Sequence, residues 1–255
     1  MTYCVGLLLE AGLVFASDSR TNAGVDDIST YSKMHVLKPA EDRIFVLMAA
    51  GNLGTTQAVV NRIRRDIDDQ ALGQHAAAEQ ADPDRPPADR ATSDRDSEAE
   101  KPTLLTARYL FEAADYVGRL SMAVQKEFSP SLRQAGASGE ASFILGGQIA
   151  GQPHGLTMIY PQGNAIMATP ETPFLQIGES KYGKPPLDYV GHTGLSLEDA
   201  ARLCLVSEIV TRRSNLTVGP PFEIAMVPRD ALKVTRRLKL EKDSPEIIRS
   251  MEVWA

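Results

Sequence analysis

Apolar runs with strand-like and helix-like periodicity follow one another in blocks along this chain, and that order limits the fold more than any single residue does. The order is strands, two helices, strands, two helices, strands. Strands that alternate singly with helices build a parallel sheet, because each parallel crossover needs its own connecting segment. Consecutive strands joined by tight turns build antiparallel sheets instead, with helices laid outside them. The expected class is therefore α+β, a layered sandwich of antiparallel sheets and outer helices. No internal repeat with a period of about 20–50 residues is present, which excludes solenoid and propeller arrays.

The first block begins at once. Residues 5–9 are apolar, Glu10-Ala11-Gly12 breaks the run and residues 13–17 resume it, so the chain opens on a hairpin. A loop with Asn22, Gly24, Asp26 and Asp27 follows. Residues 30–37 and 43–50 then read as a second hairpin around the turn 38–42. Gly51-Asn52 closes that strand. Leu53, Ala58, Val59, Ile63 and Ile67 fall near one face of a helix over 53–67. A second helix is expected over 103–128, capped by Thr103 and ended at Ser129-Pro130. Strands follow at 141–149, 155–160, 165–168 and 174–177. Ser196 is the expected N-cap of a helix over 196–210, with Asp199 three residues on. Residues 222–227 and 233–240 read as closing strands and 244–255 as a short helical tail.

Residues 68–102 have a different composition. They are rich in Ala, Asp, Arg, Glu, Gln and Pro, include Pro83, Pro86, Pro87 and Pro102, and carry almost no large apolar side chain. Such a stretch cannot bury enough apolar surface to offset the entropy of ordering it. It reads as a mobile, low-complexity insertion between two helices of one domain spanning 1–255, or alternatively as a partner-docking segment.

Charge and composition exclude several functions. A net charge of −6 argues against general nucleic-acid binding, which needs a basic face. Basic clusters at 62–65, 212–213 and 236–239 lie among apolar residues and read as solvated faces or subunit contacts. Cys4 and Cys204 have neither disulfide nor zinc-site spacing, and His35, His75, His154 and His192 are scattered, so no metal and no cofactor is expected. Cys4 reads as a small buried side chain. No basic-then-apolar leader and no apolar run near the roughly 18 residues of a membrane span is present. The expected location is the cytoplasm, with no membrane partner.

Thr2, directly behind Met1, is the residue with the most chemical potential. Removal of Met1 would put a hydroxyl nucleophile and an α-amine base on one residue. That amine titrates at about 7.7–8.0 in model peptides, close to the range proton transfer needs. The opening hairpin, turning near Ala11, sets residues 16–20 against 2–5 and so brings Asp18 toward Thr2. Ser17, Asp18, Ser19 and Arg20 form a polar cluster at a strand end, either a solvated turn or part of a site. Lys33, between Tyr31 and His35, is either an exposed edge residue or an inward one paired with Asp18, because an unpaired buried charge is costly. A paired ammonium near the hydroxyl favours its alkoxide. Gly51 is either an ordinary strand-to-helix turn or a point of close substrate approach whose N–H stabilises an oxyanion.

Thr2, Gly12, Ala16, Asp18, Arg20, Lys33, and Ala50-Gly51 ahead of a helix together resemble the pattern of proteasome β subunits among N-terminal nucleophile hydrolases. Residues 1–37, 51–67 and 176–190 resemble more closely the bacterial proteasome-related group called Anbu. The resemblance spans nearly the whole chain outside 68–102. It implies a four-layer αββα sandwich of two antiparallel sheets with helices outside. It implies Thr2 as nucleophile, its α-amine as base, Asp18 and Lys33 as a supporting ion pair, and the Gly51 N–H in the oxyanion hole. Thr21 and Asn22 would hydrogen-bond an extended substrate, and Tyr31, His35, Ala49 and Leu53 would border the pocket for the side chain before the cut.

Two departures from the β-subunit pattern stand out. The Gly-Ser-Gly turn that assists the terminal amine reads Gly178-Glu179-Ser180 here, so Glu179 or Ser180 must substitute. The Arg-Asp pair before a Ser-Gly-Gly stretch is replaced by Arg213-Ser214, then Asn215 and Thr217, leaving Ser214 to donate and accept a hydrogen bond. No long propeptide is expected, and a methionine aminopeptidase would suffice to free Thr2. The resemblance implies a homo-oligomeric ring or open helical ring and a peptide or amide substrate. Nothing in the sequence bears on an ATPase partner. Three activities follow as expectations: a threonine-type peptidase or amide hydrolase, a non-catalytic scaffold subunit on the same fold, or an amidase for a small amide or short peptide.

Overall fold

The computed structural model describes residues 1–22, 28–80 and 101–253. The chain opens on the hairpin β1 (Tyr3–Leu9) and β2 (Gly12–Asp18), followed by a small ribbon, β3 (Arg20–Asn22) with β4 (Ile28–Thr30). A second hairpin, β5 (Met34–Leu37) and β6 (Arg43–Gly51), leads into α1 (Leu53–Gln80) and α2 (Leu110–Gln134). Then come β7 (Ala141–Ile149), β8 (Gly155–Ile159), β9 (Ala165–Met167) and β10 (Phe174–Gly178). The helices α3 (Ser180–Val190) and α4 (Leu197–Ser214), the strands β11 (Phe222–Pro228) and β12 (Arg236–Leu240), and α5 (Pro245–Val253) complete it. One five-stranded sheet has the order β10-β1-β2-β11-β12 and the other β5-β6-β7-β8-β9. Every pairing in them is antiparallel.

Three apolar cores separate four layers, and strand alternation assigns each side chain to one of them. Along β1, Tyr3, Val5, Leu7 and Leu9 pack against α3 and α4, while Cys4 points between the sheets. Along β6, Ile44, Val46, Met48 and Ala50 point between the sheets, and Phe45, Leu47 and Ala49 point toward α1 and α2. Strands buried on both faces read as continuous apolar runs, which is why β1, β2 and β6 are so uniformly hydrophobic. The order of layers is helices, sheet, sheet, helices, the αββα sandwich that the family resemblance implies and a form of the layered α+β class expected from the block pattern.

Several boundaries differ from the sequence reading. The strand expected over 30–37 is two strands: β4 ends at Thr30, β5 begins at Met34, and the break turns Lys33 inward. Helix α1 continues to Gln80, so residues 68–80 of the expected insertion are helical; residues 81–100 lie outside the described residues. Helix α2 begins at Leu110 and not at Thr103. Thr103 instead closes a turn, accepting from Ala107 N–H at 2.8 Å. The actual start is fixed by Glu112, whose carboxylate accepts from Arg108 N–H at 2.7 Å and Tyr109 N–H at 3.3 Å. Pro130 does not end α2. The helix runs to Gln134 and closes where Ala137 N–H returns to Leu132 O at 2.8 Å. Ser196 caps α4 as expected, accepting from Asp199 N–H at 3.1 Å.

Candidate active site

The opening hairpin pairs Cys4 with Ser17 and Val5 with Ala16, which puts the end of β2 beside the start of β1. Tyr3 N–H donates to Asp18 Oδ1 at 2.9 Å, tying the carboxylate to the residue next to Thr2. Lys33 Nζ donates to the same Oδ1 at 2.6 Å and to Arg20 O at 2.6 Å. Asp18 is 0% exposed and Lys33 6%, so the pair is cut off from water and each charge depends on the other. Gly219 N–H adds a longer contact to Asp18 Oδ2 at 3.3 Å. Burial holds the Asp18 carboxyl above its ordinary value, against the pull of Lys33.

A cleft of about 380 Å³ opens beside this pair, lined by Met1, Thr2, Thr21, Ala50, Gly51, Leu53 and Gly178. Two glycines shape its floor. Gly51, φ +117°, ends β6; a Cβ there would lie 2.3 Å from Glu140 O. Gly178, φ +84°, ends β10; a Cβ there would lie 2.0 Å from Thr2 O. Only glycine tolerates both the dihedral and the approach. Glu179 N–H then donates to Thr2 O at 2.7 Å, so the chain start is clamped between β2 and the β10–α3 turn.

The terminal amine, carried by Met1, has Lys33, Asp18 and Glu179 for charged neighbours. Burial and then the Lys33 charge hold it below its ordinary value of 8.0, against the pull of both carboxylates. Glu179 caps α3, its side chain accepting from Lys181 N–H at 3.3 Å, and its Oε2 accepts from Asn215 Nδ2 at 2.9 Å. Asn215 Oδ1 in turn accepts from Thr217 Oγ1 at 2.6 Å. Ser180 and Ser214, the serines expected near the amine, are both exposed and make no side-chain hydrogen bond among the described residues. The reason is position: Ser180 is the first residue of α3 and Ser214 the last of α4, each turned outward. Glu179, with its longer reach, meets Asn215 in the space between.

The substrate-facing residues divide. Thr21 and Leu53 line the cleft, and Thr21 Oγ1 is buried without a partner among the described residues. Asn22 ends β3, and its side chain lies outside the described residues. Ala49 and His35 do not line this cleft. Alternation turns Ala49 into the core beneath α1 and α2, and His35, opposite Leu47, toward α1, where Arg64 Nη2 lies 3.4 Å from its Nδ1. Burial and Arg64 hold the His35 imidazole down at about 4. Tyr31 is exposed, its N–H on Ser19 O at 2.9 Å. Cys4 is fully buried, with Sγ 3.9 Å from Ala49 O, and burial pushes its thiol well up.

Among the described residues no group of three or more His, Cys, Asp or Glu is arranged to hold a metal ion, and no helix is long and apolar enough to cross a membrane. The cleft brings together the Thr2 hydroxyl, the terminal amine on Met1, a dry carboxylate–ammonium pair and a floor of two glycines.

Comparison with protein-family models gives no match, and comparison with curated proteins gives none either. Solved structures match over the full length. Anbu, an ancestral β-subunit, from Yersinia bercovieri is 36% identical with a TM-score of 0.80, over 99% of this chain and 93% of that one. Anbu from Hyphomicrobium sp. strain MC1 is 38% identical with a TM-score of 0.78, over 99% and 93%. The Anbu complex from Pseudomonas aeruginosa, described as a helical assembly, is 39% identical with a TM-score of 0.80, over 99% and 92%. Identity at this level across the whole fold, with the same β-subunit architecture, places the chain in the Anbu family of proteasome-related proteins.

Proposed function

We propose that the protein is a threonine-type peptidase or amide hydrolase that uses Thr2 as its nucleophile once Met1 has been removed. The observation that carries this reading is the buried Asp18–Lys33 pair, bonded through Asp18 to the backbone next to Thr2. An ion pair this dry costs several kcal/mol of desolvation, and such pairs are retained where a fixed field is needed.

In this reading the freed α-amine takes the proton from Thr2 Oγ, and Oγ attacks the substrate carbonyl carbon. Charge develops on the carbonyl oxygen at the Gly51 end of the cleft, where a backbone N–H stabilises it. The Lys33 ammonium lowers the proton affinity of the neighbouring amine and hydroxyl, and Asp18 keeps that ammonium in place. Collapse of the tetrahedral intermediate breaks the C–N bond, and the amine's proton goes to the leaving nitrogen. An ester remains on Thr2. Water, deprotonated by the same amine, attacks the ester carbon, releases the acid and restores the Thr2 hydroxyl. Glu179, fixed by Asn215, brings its negative charge to the amine from the α3 side.

The helical assembly of the relative from Pseudomonas aeruginosa supports a homo-oligomeric ring or open helical ring for this chain as well. A peptide or an amide is the substrate class that the chemistry fits. A panel of short peptides, non-peptide amides and an unfolded protein tests its breadth, with Thr2→Ala as control. Hydrolysis lost in Thr2→Ala supports the reading, and equal hydrolysis in both proteins overturns it. Cleavage confined to small amides would favour a dedicated amidase, to which the Glu179–Asn215 arrangement around the amine points.

A further inference from the structure

Glu208, an acid that the chemistry above does not use, is buried behind the same pair. It lies on the sheet-facing side of α4, between Cys204 and Thr211 on one helix face, and is 0% exposed. Neither of its carboxyl oxygens has a hydrogen-bond partner among the described residues. A buried carboxylate with nothing to pair with is among the costliest arrangements in a protein interior, and such a group takes up a proton instead. Burial, and then the Asp18 charge, push its carboxyl well above the ordinary range.

The neighbourhood is that of the catalytic pair. Ser207, the next residue along α4, has its Oγ 2.6 Å from Tyr3 OH and donates to Gly183 O at 2.6 Å. Tyr3 is the residue whose N–H holds Asp18. Asp18 lies opposite Phe222, which belongs to the core that α4 covers. The titratable groups around Glu208 are Tyr3 on the α4 side of β1 and Cys4 on its other side, Asp18 from β2, Lys33 ahead of β5, and Cys204 from its own helix. Burial pushes the phenol and both thiols up, which keeps them neutral. Asp18 is only half used: Oδ1 accepts from Lys33 and Tyr3, whereas Oδ2 has the single 3.3 Å contact to Gly219 N–H among the described residues. An acid with a proton to give and a carboxylate oxygen with lone pairs to spare thus share one dry layer.

We propose that Glu208 is a positioning residue, a neutral acid whose O–H serves Asp18 Oδ2, directly or across one water, so that Asp18 keeps Oδ1 on Lys33. This rests on the reading of Thr2 as nucleophile. Ionised Glu208 would put a second negative charge behind Asp18 and compete with it for Lys33.

The test is the rate at which an epoxyketone modifies Thr2, followed against pH in the wild type, Glu208→Gln and Glu208→Leu. The Gln amide can replace the acid O–H, so its neutral rate stays within about threefold of wild type. The Leu variant, without a donor, reacts about tenfold more slowly at undiminished thermal stability. A Leu variant with the wild-type rate and pH profile overturns the proposal. Carbon-13 NMR of side-chain carboxyls gives a readout independent of Thr2 reactivity. Glu208 is expected to be protonated at neutral pH, and the Asp18 resonance to move in Glu208→Leu. An ionised Glu208 or an unmoved Asp18 resonance overturns the proposal whether or not Thr2 reacts. A wild type inert to the epoxyketone, with both resonances as expected, counts against the nucleophile alone.

Discussion

The site's logic begins with Asp18 and Lys33, two charges that are dry only because they are together. Removing one partner strands the other in an apolar layer. Lys33→Met is expected to cost about 3–5 kcal/mol in chemical denaturation, and the double variant Asp18→Asn/Lys33→Met to recover most of that without regaining reactivity at Thr2. A single variant as stable as wild type would show that the pair is not buried in solution. Gly178→Ala puts a Cβ 2.0 Å from Thr2 O at a φ of +84°, so it should lose stability and Thr2 reactivity together; unchanged reactivity would show that the β10–α3 turn does not hold the chain start. His35 gives a pH prediction. Its imidazole titrates at about 4 in the folded protein against an ordinary 6.5. Between those values the unfolded chain binds the extra proton, so stability falls as pH drops from 6.5 to 4. His35→Gln should flatten that slope in thermal denaturation measured across the window; an unchanged slope assigns it to other groups. At this scale the sequence was partly legible. Hairpin register placed Asp18 beside Thr2 because strand pairing is a counting argument. The partners of the amine were half legible: the Gly178-Glu179-Ser180 turn was visible, but side-chain reach, which selects Glu179 over Ser180, is not encoded in spacing. Glu208 was invisible, since a glutamate on an amphipathic helix looks like any solvated one.

Elements were legible where periodicity decides and illegible where a single contact does. The strands β1, β2, β6 and β7 follow from apolar runs. The start of α2 does not, because Thr103 is the capping residue type in that stretch, whereas the Glu112 carboxylate, bonded to Arg108 and Tyr109 N–H, fixes the start at Leu110. Pro130 misleads for a related reason: one missing N–H is tolerated when the turns on either side keep their bonds. The break between β4 and β5 matters most for function, since a continuous strand over 30–37 would not leave residues 31–33 free to turn Lys33 inward. The cap of α4 is a local device independent of the chemistry. Ser196→Ala should cost about 1 kcal/mol of stability and leave the rate of Thr2 modification unchanged. A change in that rate would mean that the cap, on α4 some three turns from Glu208, is coupled to the site.

Four layers around three cores bring residues far apart in sequence to one place: Thr2 and Asp18 from the first hairpin, Lys33 from the strand break, Gly51 from the second sheet, and Glu179 and Asn215 from the helical block. Such a molecule also presents apolar surface outward, including Tyr189 at 91% exposure and the stacked pair Tyr109–Phe111. Surface of that kind fits self-assembly. Light scattering should report a mass many times the 27.7 kDa of one chain; a monodisperse monomer would contradict the proposed assembly. The most direct test of the whole account is intact mass spectrometry of the purified protein before and after treatment with an epoxyketone. The account predicts a chain that begins at Thr2 and gains one reagent on that residue. Retained Met1, or a free Thr2 that takes up no reagent, would contradict it.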